Sequence, residues 1–320
     1  MKIIQEDNFA DIMKDEVEPY LYAHCRECYI TGAKEPERRE KNGKLHVKFY
    51  ETDRPKGVII ISHGFTEGAQ KYDEMIYYFL KAGYHVCMPE HMGHGLSYRL
   101  TEDPSLVHID TWKRFVRDFL KVCHVVKEQY SELPLFLFAH SMGGAIGTIA
   151  AAWETELFQK IILSSPMIRP LTGNVPWSVT VAIAQVECLA GRNARYVIGQ
   201  KPYDGSEILE TSAAVSEARF TRYNEHPQAI QRNPDKCSLL WMASCFNKNE
   251  LVSEISWMEK ILLHRYFYFR QRKMRLFLSG RYKNLRRNCS EKGGLHVNIC
   301  ICLEVNMKYL EVMTRRCRHM

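Results

Sequence analysis

The chain has 320 residues, 46% hydrophobic and 25% charged, which suits one large α/β domain with an insertion, or two modest domains, and allows a sizeable core. No run approaches the ~18 apolar residues of a membrane span, and Met1-Lys2-Ile3-Ile4-Gln5-Glu6-Asp7 lacks a secretory apolar stretch, so a cytoplasmic chain is expected. The net charge of +7 would suggest nucleic acid or anionic lipid, yet residues 262–320 carry 14 Lys and Arg against three Glu, whereas residues 1–261 carry 30 against 34.

Residues 1–44 read as an N-terminal extension with one short helix, Phe9 to Leu21. Cys25-x-x-Cys28 has the spacing of half a zinc site, but no second pair follows; with eleven scattered cysteines we expect reduced thiols and no metal. Leu45 to Glu51 alternates apolar and polar residues and predicts an edge strand. Asp53-Arg54-Pro55 then leads into Gly57 to Ile61, a buried strand running into Ser62-His63-Gly64-Phe65-Thr66-Glu67-Gly68. Tyr72 to Leu80 reads as a helix, and His85 to Pro89 as a third strand followed by Glu90-His91-Met92-Gly93-His94-Gly95-Leu96-Ser97. His91-x-x-His94 has zinc-like spacing, but without the H-E-x-x-H helix it is better read as a site-lining loop. Trp112, Phe115, Val116, Phe119, Cys123 and Val126 mark the packing face of a helix.

Leu135 to Ala139 is short enough for a buried strand, and Ala145, Ile146, Ile149 and Ala150 fall at helical spacing beyond it. Between them lies Ala139-His140-Ser141-Met142-Gly143, a G-x-S-x-G-like nucleophile elbow with alanine as its first small residue. A Ser at such a junction is more often a plain N-cap. Lys160 to Ser164 is a further strand, and strands alternating with helices imply right-handed crossovers and a mostly parallel, doubly wound sheet. From Met167 to about Phe246 the rhythm breaks, with helical patches at Val175 to Leu189 and Glu207 to Phe220 and no convincing strand; Ser256 to Ile261 leads back toward the sheet.

His63-Gly64-Phe65-Thr66-Glu67, Gly93-His94-Gly95-x-Ser97 and His140-Ser141-Met142-Gly143-Gly144 occur in the order and at the spacing of one family. Over about residues 45–261 the chain resembles the monoacylglycerol lipase and lysophospholipase branch of the α/β-hydrolases, of the S33 serine aminopeptidase type. The resemblance implies an α/β-hydrolase core over residues 45–166 and 246–261 and a helical cap over 167–245, in which Trp177, Val179, Val181, Ile183 and Ala184 suit an apolar wall. It also implies Ser141 as nucleophile, the backbone N–H groups of Phe65 and Met142 as oxyanion donors, and His63, Gly64, His140 and Gly143 as site-lining residues, with no cofactor.

The serine needs a His, and that His a carboxylate, in the order Ser, acid, His. The family places an Asp after its sixth strand and the His near its last helix, but no Asp follows Asp235 here. Back-translating Leu263 to Met274 and shifting by two bases allows P-S-V-F-L-F-Q-A-E-K-D, and Val305 to Tyr309 shifts to K-H-E-I, so both missing members reappear in one frame. We therefore expect a frame change near Ile261 or Leu262, leaving residues 262–320 as an aberrant basic tail. The rival is a divergent tail that supplies His296 with Glu291 or Glu304. The expected activity is hydrolysis of a monoacylglycerol or lysophospholipid ester. The alternatives are an inactive hydrolase-fold product and an aminopeptidase on the same scaffold. Expected partners are a small lipid-ester substrate, at most transient contact with a membrane surface, and no nucleic acid.

Overall fold

The computed structural model describes residues 3–33, 43–167, 175–197, 208–211, 214–225, 236–237, 266–267 and 297–302. Phe9–Ile12 (α1), a π-helical turn over Met13–Val17 and Glu18–His24 (α2) make one helical run. Phe9, Met13, Val17 and Leu21 recur every fourth residue and are all buried. The run gives way to Cys25–Thr31 (β1), which pairs antiparallel with Lys44–Tyr50 (β2). The predicted edge strand is thus an inner one. Its alternation was a fair strand signal, but β1, too polar to announce itself, covers its outer side.

Val58–Ser62 (β3), Asp73–Lys81 (α3), His85–Pro89 (β4), Leu106–Val107 (β5), Trp112–Gln129 (α4), Leu135–His140 (β6), Ser141–Trp153 (α5) and Lys160–Ser164 (β7) follow. Beyond them lie Trp177–Leu189 (α6), Glu217–Glu225 (α7), Lys236–Cys237 (β8), Tyr266–Phe267 (β9) and Val297–Cys302 (β10). The main sheet runs β1-β2-β4-β3-β6-β7-β10-β9, and β5 pairs separately with β8. Among the described residues only the β1–β2 and β2–β4 pairings are antiparallel; the other pairings are parallel, as expected of an α/β-hydrolase. The basic tail supplies the backbone of β10, Ile299 opposite Ile161 and Cys302 opposite Ser164.

Strand β3 is central because it can be buried on both faces. Val58 and Ile60 pack toward α4 and α5, while Ile59 and Ile61 pack toward α3 and the N-terminal helical run. Helix α4 starts where Thr111 Oγ1 accepts from the Lys113 N–H (3.4 Å). All six residues of its predicted stripe are buried. On the same helix Arg114, 1% exposed, is paired with Asp110 one turn earlier, its Nε 2.7 Å from Asp110 Oδ1.

Between β7 and β8, α6 matches its predicted patch, but the second patch resolves into a 3₁₀ turn at Leu209–Thr211 and α7, ending beyond Phe220. Ala184 is buried, whereas Val179 and Ile183 are exposed; the side chains of Trp177 and Val181 lie outside the described residues. So do residues 246–261.

Candidate active site

Parallel pairing of β3 with β6 sets Ser62 opposite Ala139, bringing the loop after β3 beside the turn after β6. At that turn the extended His140 is followed by Ser141 at φ 49°, which opens α5. A left-handed Ser costs roughly 1–3 kcal/mol and persists only where surrounding contacts impose it. Two such contacts are present: Ser141 O accepts from the Met167 N–H (2.8 Å), and Gly143 O accepts from Ser62 Oγ (3.0 Å). Glycine is required at 143 because a Cβ there would sit 2.2 Å from Ser62 O and 2.3 Å from His63 O. The Ser141 side chain remains partly exposed. Met142, second in α5, has a backbone N–H with no acceptor inside the helix, the usual state of a first-turn amide.

The facing loop is held from beneath by imidazoles. His63 Nε2 accepts from the His91 N–H (2.8 Å) and its Nδ1 donates to Gly64 O (2.8 Å). His94 Nε2 accepts from the Thr66 N–H (3.2 Å) while its Nδ1 donates to Met92 O (3.0 Å), and His91 Nε2 meets Ser62 Oγ at 2.9 Å. The His63 and His94 roles require neutral rings, and burial supplies them: it pushes His63 below the ordinary range and His94 down to about 3, and it lowers His91 as well. The His91-x-x-His94 pair therefore sits under the site as structural support. The buried Glu67 accepts from the Gly64 N–H (2.7 Å), the Tyr72 hydroxyl (2.5 Å) and Lys71, and lies 3.4 Å from His140 Nε2. Burial opposes its ionisation, but the charges of Lys71 and His140 and the bonds from Lys71 and Tyr72 bring it down to about 2. His140 Nδ1 turns to Ser164 O (3.1 Å).

Placement of the predicted residues is therefore mixed. Ser141, Met142, Gly143, His140, His63, Gly64 and Phe65 are brought together at the carboxyl ends of β3 and β6, with His63 and Gly143 buried behind the partly exposed Phe65 and Ser141. His63, His94 and His140 have both ring nitrogens committed elsewhere, so none is poised as a base for Ser141. Glu291, His296 and Glu304 lie outside the described residues. Cys25 and Cys28 sit three apart on β1, on opposite faces of a strand, and cannot share a ligand. Sequence reasoning gave Glu67 no role, although it stood inside a quoted motif. It also missed His46, whose Nδ1 lies 2.9 Å from Glu90 and Nε2 3.1 Å from Glu27. The apolar-polar alternation of β2 hides a buried His, and no local signal could have found it.

A family model described as serine aminopeptidase, S33, matches residues 53–243. Monoglyceride lipase of Rattus norvegicus is 40% identical over 114 residues, covering 36% of each chain. A probable lysophospholipase L2 of Haemophilus influenzae is 29% identical over 193 residues, covering 59% of this chain and 60% of that protein. The match thus spans about a third to three fifths of the length of these relatives. A thermostable carboxyl esterase from Bacillus coagulans superposes with a TM-score of 0.56 at 19% identity, covering 77% of this chain and 79% of that one, a likeness of fold. With a family model matched over more than half its length and a serine at the bend between β6 and α5, the chain has the α/β-hydrolase fold and belongs to the S33 serine aminopeptidase family of serine hydrolases.

Proposed function

We propose that the chain is built to hydrolyse a carboxylic ester, a monoacylglycerol or lysophospholipid, through an acyl-enzyme on Ser141. The observation carrying this reading is the left-handed Ser141 at the head of α5, partly exposed and facing the loop after β3. The Ser141 hydroxyl attacks the acyl carbon, and its proton passes to a base. The oxyanion that forms accepts from the Phe65 and Met142 N–H groups, each such donor being worth about 3–4 kcal/mol of barrier. The alcohol leaves with the proton, and water then releases the fatty acid from the serine. The names borne by the rat and Haemophilus relatives support lipid esters as the substrate class.

The base and its carboxylate are those that the shifted reading of residues 262–320 restores, and this chain lacks them. A fluorophosphonate probe applied to the frame-restored protein tests the nucleophile. Labelling at Ser141, abolished in Ser141→Ala, supports the reading; labelling at another residue overturns it. Little or no hydrolysis of a short p-nitrophenyl ester is expected from the chain as it stands, with activity recovered when the frame is restored. Turnover by the unaltered chain that Ser141→Ala removes would mean that the tail supplies its own base. A restored protein that prefers amides over lipid esters would point to the aminopeptidase reading.

A further inference from the structure

Thr66 is a β-branched residue at φ 61°, a conformation costly for its kind, in the loop that carries Phe65. Both of its backbone polar groups are tied down. Its N–H donates to His94 Nε2 from below (3.2 Å), and its carbonyl accepts from the Tyr223 hydroxyl (2.8 Å), which comes from α7.

Helix α7 is itself fixed. Arg219, Arg222 and Tyr223 are three and four residues apart and share one face. Arg219 forms a two-pronged pair with Glu74 of α3 (both contacts 2.9 Å), reaches Glu6 at 3.1 Å and covers the Phe9 ring at 4.3 Å. Arg222 contacts Asp73 at 3.1 Å and pairs with Glu18. Glu6 also accepts from Ser216 Oγ (2.6 Å) and the Ala218 N–H (2.9 Å) at the start of the helix. The hydroxyl that meets Thr66 is therefore delivered by a helix clamped to α3 and to the N-terminal run.

We propose that Tyr223 is a positioning residue for the oxyanion loop: through Thr66 O it holds the strained turn that aims the Phe65 N–H, and α7 transmits the placement of the N-terminal run to that donor. The proposal rests on the ester-hydrolase reading only for its catalytic meaning; the mechanical coupling stands apart from it. Loss of one such hydrogen bond changes a local opening equilibrium about fivefold.

Hydrogen–deuterium exchange on the whole chain tests the coupling. Tyr223→Phe should speed exchange of the peptide spanning 63–68 about fivefold with little change in Tm. In a Thr66→Gly background, where left-handed backbone carries no penalty, the same substitution should change little. Unchanged exchange in Tyr223→Phe, or equal acceleration in both backgrounds, overturns the proposal. Fluorophosphonate labelling of Ser141 in the frame-restored protein, read in parallel, should slow in Tyr223→Phe and recover when Thr66→Gly is added. If Ser141 of the frame-restored protein takes no label, the hydrolase reading fails while the exchange result still decides the role of Tyr223.

Discussion

Gly143 sets how closely α5 approaches the end of β3. A Cβ at that position meets two main-chain oxygens, which cannot rotate away as a flexible side chain could. Gly143→Ala is therefore expected to push α5 off β3, break the Ser62 to Gly143 hydrogen bond and destabilise by about 1–3 kcal/mol. Urea unfolding measures that loss, and wild-type stability in the variant would show that the contact is not limiting. The residues that make this apposition were legible in the sequence, because a serine between a short apolar strand and small residues leaves few structural options. Glu67 was not legible: its role exists only because its own loop folds back to bring Gly64, Lys71 and Tyr72 onto it while His140 reaches it from the turn after β6.

Among the elements, those whose period matched their environment were read correctly. The fully buried β3 and β4 announced themselves as short apolar runs, and α4 as a stripe at helical spacing. Strand β1 escaped because Arg26, Glu27 and Thr31 face water and only Ile30 is buried, leaving no alternation to detect. Helix α7 was displaced from its predicted span because ionic contacts with α3 and the N-terminal run, not an apolar stripe, fix it. On α4, removing one partner of the Asp110–Arg114 pair leaves a guanidinium that is 1% exposed without its carboxylate. Asp110→Ala should thus cost about 3–5 kcal/mol. Asp110→Ala/Arg114→Leu should recover much of that in the same denaturation assay, whereas a double variant no better than the single one would mean that the charge was not the cause.

Taken whole, the molecule carries buried charge that ties its stability to pH. Glu67 and Glu90 both titrate at about 2, against 4.5 for an unperturbed Glu. At Glu90 burial opposes ionisation, and the hydrogen bond from His46 followed by that from the Leu96 N–H overcomes it. A carboxylate lowered on folding contributes stability that is complete above its unfolded value and is lost as pH falls toward its folded one. His46 acts in the opposite sense: burial disfavours its charge, but the bonds and charges of Glu90 and Glu27 raise it above 6.5, so its contribution is full below that value and fades as pH rises through its folded one. Tm should accordingly fall as pH drops from about 4.5 toward 2, and Glu90→Gln should flatten that decline. An acid limb identical in Glu90→Gln would assign the loss to other groups.

The first two dozen residues bear on any attempt to shorten this polypeptide. Phe9, Met13, Val17 and Leu21 are the outer lining of the sheet's α3 side, seated with Ile76, Tyr77 and Leu80. Excising them would leave a greasy flank open to solvent and α7 bereft of Glu6 and Glu18, its acidic moorings there. A trimmed version should therefore self-associate before its sheet is otherwise disturbed, and sizing columns run on chains begun at Met1 and at Cys25 would reveal the difference.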